Sequence, residues 1–219
     1  MFALFPCCCA ENDGEVVEYF DGEERLAETF KPTNNGDWAA TEYLIEFVRQ
    51  ADVALGLSLD DYDRERLHIT DIRAGGLAEQ YNQSAPANAK VMPGDYIVAV
   101  NGISRDALEM VRLLRDEARV EVKIQKPKSW VVTLRKAVEK TPLGMRLGYG
   151  PASKSLVVLD LADGLVQRWN SDHPGSEVRL HDRVVTVNGR LGAPADMLHA
   201  VRESRELVLQ FSRPKTMAL

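Results

Sequence analysis

Twelve residues in the middle of this chain return, in altered spelling, 87 positions later. Val91-Met92-Pro93-Gly94-Asp95-Tyr96-Ile97-Val98-Ala99-Val100-Asn101-Gly102 recurs as Val178-Arg179-Leu180-His181-Asp182-Arg183-Val184-Val185-Thr186-Val187-Asn188-Gly189. Three further pairs follow in the same order at nearly the same spacing. Ala54-Leu55-Gly56-Leu57 answers Pro142-Leu143-Gly144-Met145, the run from Met110 to Arg115 answers that from Met197 to Arg202, and Val120-Glu121-Val122-Lys123-Ile124 answers Leu207-Val208-Leu209-Gln210-Phe211. Solenoids repeat every 20–50 residues, so a period this long is the duplication of a whole domain. The 219 residues then divide into an extension (1–40), a first unit (41–127), a second unit (128–213) and a tail (214–219).

Each unit has the same order of local signals. Residues 42–48 and 130–134 are rich in β-branched and aromatic side chains, which favour strands. After Leu-Gly-apolar comes a second strand-like run, 67–72 or 156–161. The first of these alternates with period two, as a strand with one wet face does; the second is apolar enough to be buried on both faces. One-turn helices are expected around 77–81 and 165–169. The repeated strand ends in Asn-Gly (Asn101-Gly102, Asn188-Gly189), a pair that accepts the positive φ of a tight turn. A longer helix follows at 106–115 or 194–202, with one apolar stripe made by Met110, Val111 and Leu114 or by Met197, Leu198 and Val201. Pro194 suits a helix's first turn, where its missing N–H is not needed.

Six short strands and two helices, with Leu-Gly-apolar after the first strand and Asp-x-Ile/Val-x-x-Val-Asn-Gly later, resemble the PDZ domain. The resemblance covers both units. The family's Gly-Leu-Gly-Phe loop stands here as Ala54-Leu55-Gly56-Leu57 and Pro142-Leu143-Gly144-Met145, and the second unit lacks the Pro-Gly of 93–94. It implies a mainly β fold with α (α+β): two PDZ-like modules, each a partly open six-stranded β-sandwich or barrel capped by two helices. It further implies that the C-terminus of a partner protein adds a strand to an open sheet edge, in a groove between the second strand and second helix. In the first module the groove residues would be Leu55, Gly56, Leu57, Ser58, Leu59, Ala107, Val111 and Leu114. In the second they would be Lys140, Leu143, Gly144, Met145, Arg146, Leu147, Pro194, Leu198 and Val201. The peptide carboxylate would meet main-chain N–H groups around Gly56 or Gly144, where a missing Cβ permits close approach. Lys140 is placed to assist it in the second module, while the first offers only Arg49, further upstream. The first groove-facing helix position is Ala107 or Pro194, or Asp106 or Ala193 after a one-residue slip. None is histidine, so an apolar residue is expected two before the ligand's end.

The remaining signals narrow the function. Net charge is −6, spread as −7 over residues 1–40, −4 over 41–127 and +5 over 128–219, and no block is basic enough for a nucleic-acid footprint. Cys7-Cys8-Cys9 are the only cysteines, which excludes disulfides within the modules and suits a reducing cytosol. After an apolar start they look like S-acylation sites that would place the protein at the cytosolic face of a membrane; an unmodified, disordered end is the other reading. Phe2 rules out N-myristoylation. No cofactor or metal is expected, and Asp60-Asp61-Tyr62-Asp63 reads as a solvated turn between strands. No enzyme motif is present, and His68, His173, His181 and His199 are scattered. Two alternatives stay open: a structural scaffold with closed grooves, and a regulatory subunit of a protease. Met217-Ala218-Leu219, an apolar-x-apolar ending, raises the expectation of self-association through a groove.

Overall fold

The computed structural model describes residues 42–50, 52–137 and 142–215. Cys7, Cys8, Cys9, Lys140 and Met217-Ala218-Leu219 lie outside the described residues. Among the described residues, two antiparallel sheets of six strands each, with four α-helices, make the fold mainly β with α, in two modules of like strand order.

In the first module β1 (Glu42–Val48), β6 (Arg119–Gln125), β4 (Tyr96–Val100), β3 (Leu67–Ile72) and β2 (Leu57–Asp60) lie side by side in that order, and β5 (Ile103–Ser104) pairs with β4. The helices are α1 (Leu77–Ser84) and α2 (Ala107–Asp116). The second module repeats the order with β7 (Pro127–Arg135), β12 (Glu206–Pro214), β10 (Arg183–Val187), β9 (Leu156–Leu161) and β8 (Met145–Gly148). There β11 (Arg190–Leu191) pairs with β10, and the helices are α3 (Leu165–Asp172) and α4 (Pro194–Glu203). Thus β2 and β8 are the outer strands of their sheets. No helix among the described residues is long and apolar enough to cross a membrane.

The repeated motif explains the turns that shape both modules. Asn101 and Asn188 take φ of 48° and 49°, and the glycines after them 79° and 77°. Two successive positive φ values match the right-handed twist of the paired strands, and Asn-Gly supplies them cheaply. The Asn101 side-chain carbonyl also accepts from Glu121 N–H at 2.8 Å, and Asn188 from Val208 N–H at 2.7 Å, tying each turn to the last strand. The motif aspartates staple the turn before it. Asp95 accepts from Met92 N–H and pairs with Lys126, both at 2.8 Å. Asp182 accepts from Arg179 N–H at 2.7 Å and pairs with Arg213 at 2.6 Å. Burial pushes both carboxyls up, Asp182 to about 6, against the pull of those cations.

Lys126 alone separates β6 from β7, and Pro127, Lys128 and Ser129 already pair with Pro214, Arg213 and Ser212. Three expectations are corrected. The small helices run eight residues, two turns instead of one. The run 60–63 is not a solvated turn. Asp60 and Asp63 are 1% and 5% exposed, because the second module covers them. The same cover buries His68 and Thr70, on the face of β3 that alternation marked as wet.

Candidate functional site

Each module forms its core by packing its Leu-Gly-apolar segment against its long helix. Gly56 has φ +78° and Gly144 +70°, the left-handed region that a Cβ disfavours. Space is also short. A Cβ on Gly56 would lie 2.8 Å from the Cα of Gly76, and one on Gly144 would lie 2.5 Å from the carbonyl oxygen of Ala162 and 2.9 Å from the Cα of Gly164. Gly76 and Gly164 stand just before α1 and α3. The helix following each of them docks through its first N–H groups: Leu77 and Ala78 donate to Ala54 and Leu55, and Leu165 and Val166 to Pro142 and Leu143, at 3.0–3.1 Å. Gly76 and Gly164 were not foreseen as site residues. Their signal was available, since each precedes the leucine that opens the small helix of its copy.

Carbonyls of the loop are therefore engaged from behind, while its N–H groups face away. Among the described residues, the N–H groups of Leu55, Gly56, Leu143 and Gly144 donate to no backbone or side-chain acceptor. Beyond the loop, among the described residues, β2 and β8 have no strand on their outer side. Unpaired edge groups beside free amides are what an extended peptide ending in a carboxylate requires.

The apolar walls differ between the copies. In the first module Leu55, Leu57, Leu59 and Val111 are half-buried, and only Leu114 is covered. Their counterparts Leu143, Met145, Leu147, Leu198 and Val201 all belong to the second core, at 4%, 9%, 2%, 3% and 1% exposed. The side chains between β2 and α2 are thus partly exposed, whereas their counterparts between β8 and α4 are buried. Ser58 and Arg146 stand on the other face of their strands. The Ser58 carbonyl accepts from Thr70 Oγ1 at 3.2 Å, and Arg146 is 4.0 Å from Asp160.

Ala107 and Pro194 are the first residues of α2 and α4, with Asp106 and Ala193 as their N-caps. Ala107 is fully buried. Its N–H donates to Arg64 C=O at 3.1 Å, and Arg105 pairs with Glu65 at 3.2 Å, so the loop 61–66 holds the start of α2. The free stretch of β2 is four residues, roughly 13 Å of extended chain. Arg49 is not free to meet a carboxylate. Its guanidinium donates to the carbonyls of Leu114, Arg115 and Glu117, at 2.7 Å for Leu114, and so caps α2 where the helix dipole favours a cation. Lys136, 87 residues on, does the same for α4 through Val201 and Arg202 at 2.8 and 3.1 Å.

A cavity of about 270 Å³ opens elsewhere, between the modules, lined by His68, Thr70, Lys154 and Ser212 among others and by none of the groove residues. Both ring nitrogens of His68 lack a partner, and the ring lies 5.0 Å from that of Tyr96. Burial, then the charge of Arg183, lower its pKa to about 3, so the imidazole is neutral.

No family model and no curated protein sequence matches this chain. Among solved structures it is similar to one titled as the complex of INAD PDZ45 with NORPA CC-PBM, at 18% identity and a TM-score of 0.35, over 81% of this chain and 94% of that one. It is also similar to the fifth PDZ domain of InaD, at 23% identity and a TM-score of 0.31, over 40% of this chain and 98% of that one.

Proposed function

We propose that these two PDZ-like modules form a non-enzymatic adaptor in which the first module receives the C-terminal peptide of a partner protein. The observation that carries this reading is the row of half-buried apolar side chains Leu55, Leu57, Leu59 and Val111, beside an unpaired strand edge and amides without acceptors among the described residues. The peptide adds antiparallel to β2, and its carboxylate takes N–H groups of the 55–57 loop. Its last side chain packs on that apolar row. The start of α2 carries Ala107, buried and without a hydrogen-bonding side chain, so nothing there selects a hydroxyl two before the end. The second module, with the corresponding side chains buried, serves as a scaffold for the first. Acylation of Cys7, Cys8 and Cys9 would hold the adaptor on a membrane surface.

Fluorescent peptides ending apolar-x-apolar, each made as free acid and as C-terminal amide, test this on the full chain. Saturable binding of the acids with loss in the amides is expected. Equal binding of acid and amide, or no binding by any acid, overturns it.

A further inference from the structure

Arg183 is a wholly buried cation whose ion pairs, among the described residues, both lie in the first module. It sits in β10, and by strand register it is the counterpart of Tyr96: Tyr96 pairs with His68 in the first sheet as Arg183 pairs with Val157 in the second. Its guanidinium crosses to the first module. Nη1 donates to Asp60 Oδ2 at 2.5 Å, Nη2 to the Asp60 carbonyl at 3.5 Å, and Nη2 lies 3.6 Å from Asp63 Oδ2. Only Ser155 Oγ, at 3.2 Å, is a partner from its own side. Burial pushes the Asp60 carboxyl up, but the charge and hydrogen bond of Arg183 outweigh it and hold Asp60 below the usual carboxylate range.

We infer that Arg183 is a positioning residue through which the second module sets the first module's groove; the inference rests on the reading of that groove as a peptide site. Asp60 ends β2, the strand the peptide would join. Its Oδ1 accepts from Tyr62 N–H at 3.0 Å, and Asp63 Oδ1 accepts from Glu65 and Arg66 N–H at 3.0 and 2.8 Å. The loop 61–66 is thus wound around two carboxylates that share one guanidinium. That loop supplies the Arg64 carbonyl that holds the first N–H of α2. A chain of direct contacts runs from Arg183 to the start of α2, while the other end of α2 is held from within its module by Arg49. Groove width is the separation of β2 from α2, so Arg183 bears on it directly.

Two details show that the contact is shaped for this purpose. Tyr62 packs against Gly148 and Gly150 of the second module, where a Cβ would come within 2.8 Å of its hydroxyl oxygen and 3.0 Å of a ring carbon. Gly148 is the counterpart of Asp60 itself, so the second copy has no side chain at the position that receives the loop. Without Arg183, Asp60 and Asp63 would be two buried like charges lacking a cation, and they would regain water by lifting the loop.

The test compares the full-length protein with Arg183→Met, Arg183→Lys and the triple variant Asp60→Asn, Asp63→Asn, Arg183→Met. Each is read by free-acid peptide affinity and by amide hydrogen exchange. Arg183→Met is expected to weaken the peptide about tenfold, near 1.4 kcal/mol, and to speed exchange at 61–66 and Ala107 while the β9–β10 core stays protected. Arg183→Lys, which keeps the charge, restores part of both. The triple variant removes the buried charge and keeps the variant folded, yet binds as weakly as Arg183→Met. Affinity within twofold of the parent in Arg183→Met or the triple variant, with the loop still protected, overturns the inference. If the parent binds no free-acid peptide, the groove reading fails alone, and exchange at 61–66 and Ala107 still decides whether Arg183 holds the loop.

Discussion

Replacing Gly56 by alanine puts a methyl group where the backbone holds φ at +78° and where the nearest atoms are backbone: Gly76 Cα at 2.8 Å and Arg73 O at 3.2 Å. The left-handed conformation costs alanine about 1–2 kcal/mol. The contacts lie inside the optimum of about 3.5–4.0 Å, and backbone cannot swing aside as a side chain can. Together they predict a loss of roughly 2–4 kcal/mol and a fall in Tm of about 4 °C or more. Gly144→Ala meets Ala162 O at 2.5 Å and should cost at least as much. The two variants must differ in function. In the first module the loop moves away from the peptide carboxylate, and losing a hydrogen bond to a charged group costs about 1.5–3 kcal/mol, a ten- to hundredfold rise in Kd. In the second module the corresponding side chains are buried in the core, so peptide affinity should stay within about twofold. Thermal melts and fluorescence anisotropy with a free-acid peptide on the full chain measure both quantities. A Gly56→Ala protein that is destabilised yet binds normally refutes the reasoning, as does a Gly144→Ala protein that binds as poorly as Gly56→Ala.

The helix walls give a second contrast. Val111→Glu should weaken peptide binding more than tenfold with a small change in Tm, whereas Leu198→Glu, at a site 3% exposed, should cost about 3 kcal/mol or more; equal melting of the two would show that the first apolar wall is not exposed. Acid should destabilise the protein through His68. With a pKa of about 3 folded and 6.5 unfolded, the unfolded chain takes the proton first as pH falls, so stability present above pH 6.5 is lost progressively down to about 3. His68 alone accounts for a loss of about 2 kcal/mol between pH 7 and 5, partly offset by Asp182, whose folded carboxyl at about 6 takes up its proton before the unfolded one; urea unfolding of the parent against His68→Leu isolates the His68 share, and an identical pH slope in the two would mean the imidazole is not buried and neutral. Joint replacement of Cys7, Cys8 and Cys9 by serine should move the protein from the membrane to the soluble fraction of cells, and unchanged fractionation would remove the lipid anchor.

Much of this architecture is written locally. The 87-residue recurrence foretold two copies of one module, Asn-Gly foretold the positive-φ turns, and the stripes Met110-Val111-Leu114 and Met197-Leu198-Val201 foretold helices whose observed ends, Ala107–Asp116 and Pro194–Glu203, differ from the expected ones by one residue at most. The roles of Arg49 and Lys136 were also within reach, since the repeat puts both cations at one position, but a cation near a predicted groove invites a ligand role until its distance to the helix end is known.

What the sequence determined by itself is the set of features that depend on neighbours along the chain: turn chemistry, helix and strand periodicity, and their duplication. The tertiary structure alone decided which apolar wall is exposed, which acids are buried and what holds the start of α2. Val111 and Leu198 are both apolar residues on the same helical stripe, and only packing leaves one half-exposed and the other in the core. Asp60 looks like a surface acid until Arg183, 123 residues away, arrives beside it. A buried charge is tolerable only through its partner, and that partner is set by how two modules dock across a one-residue link.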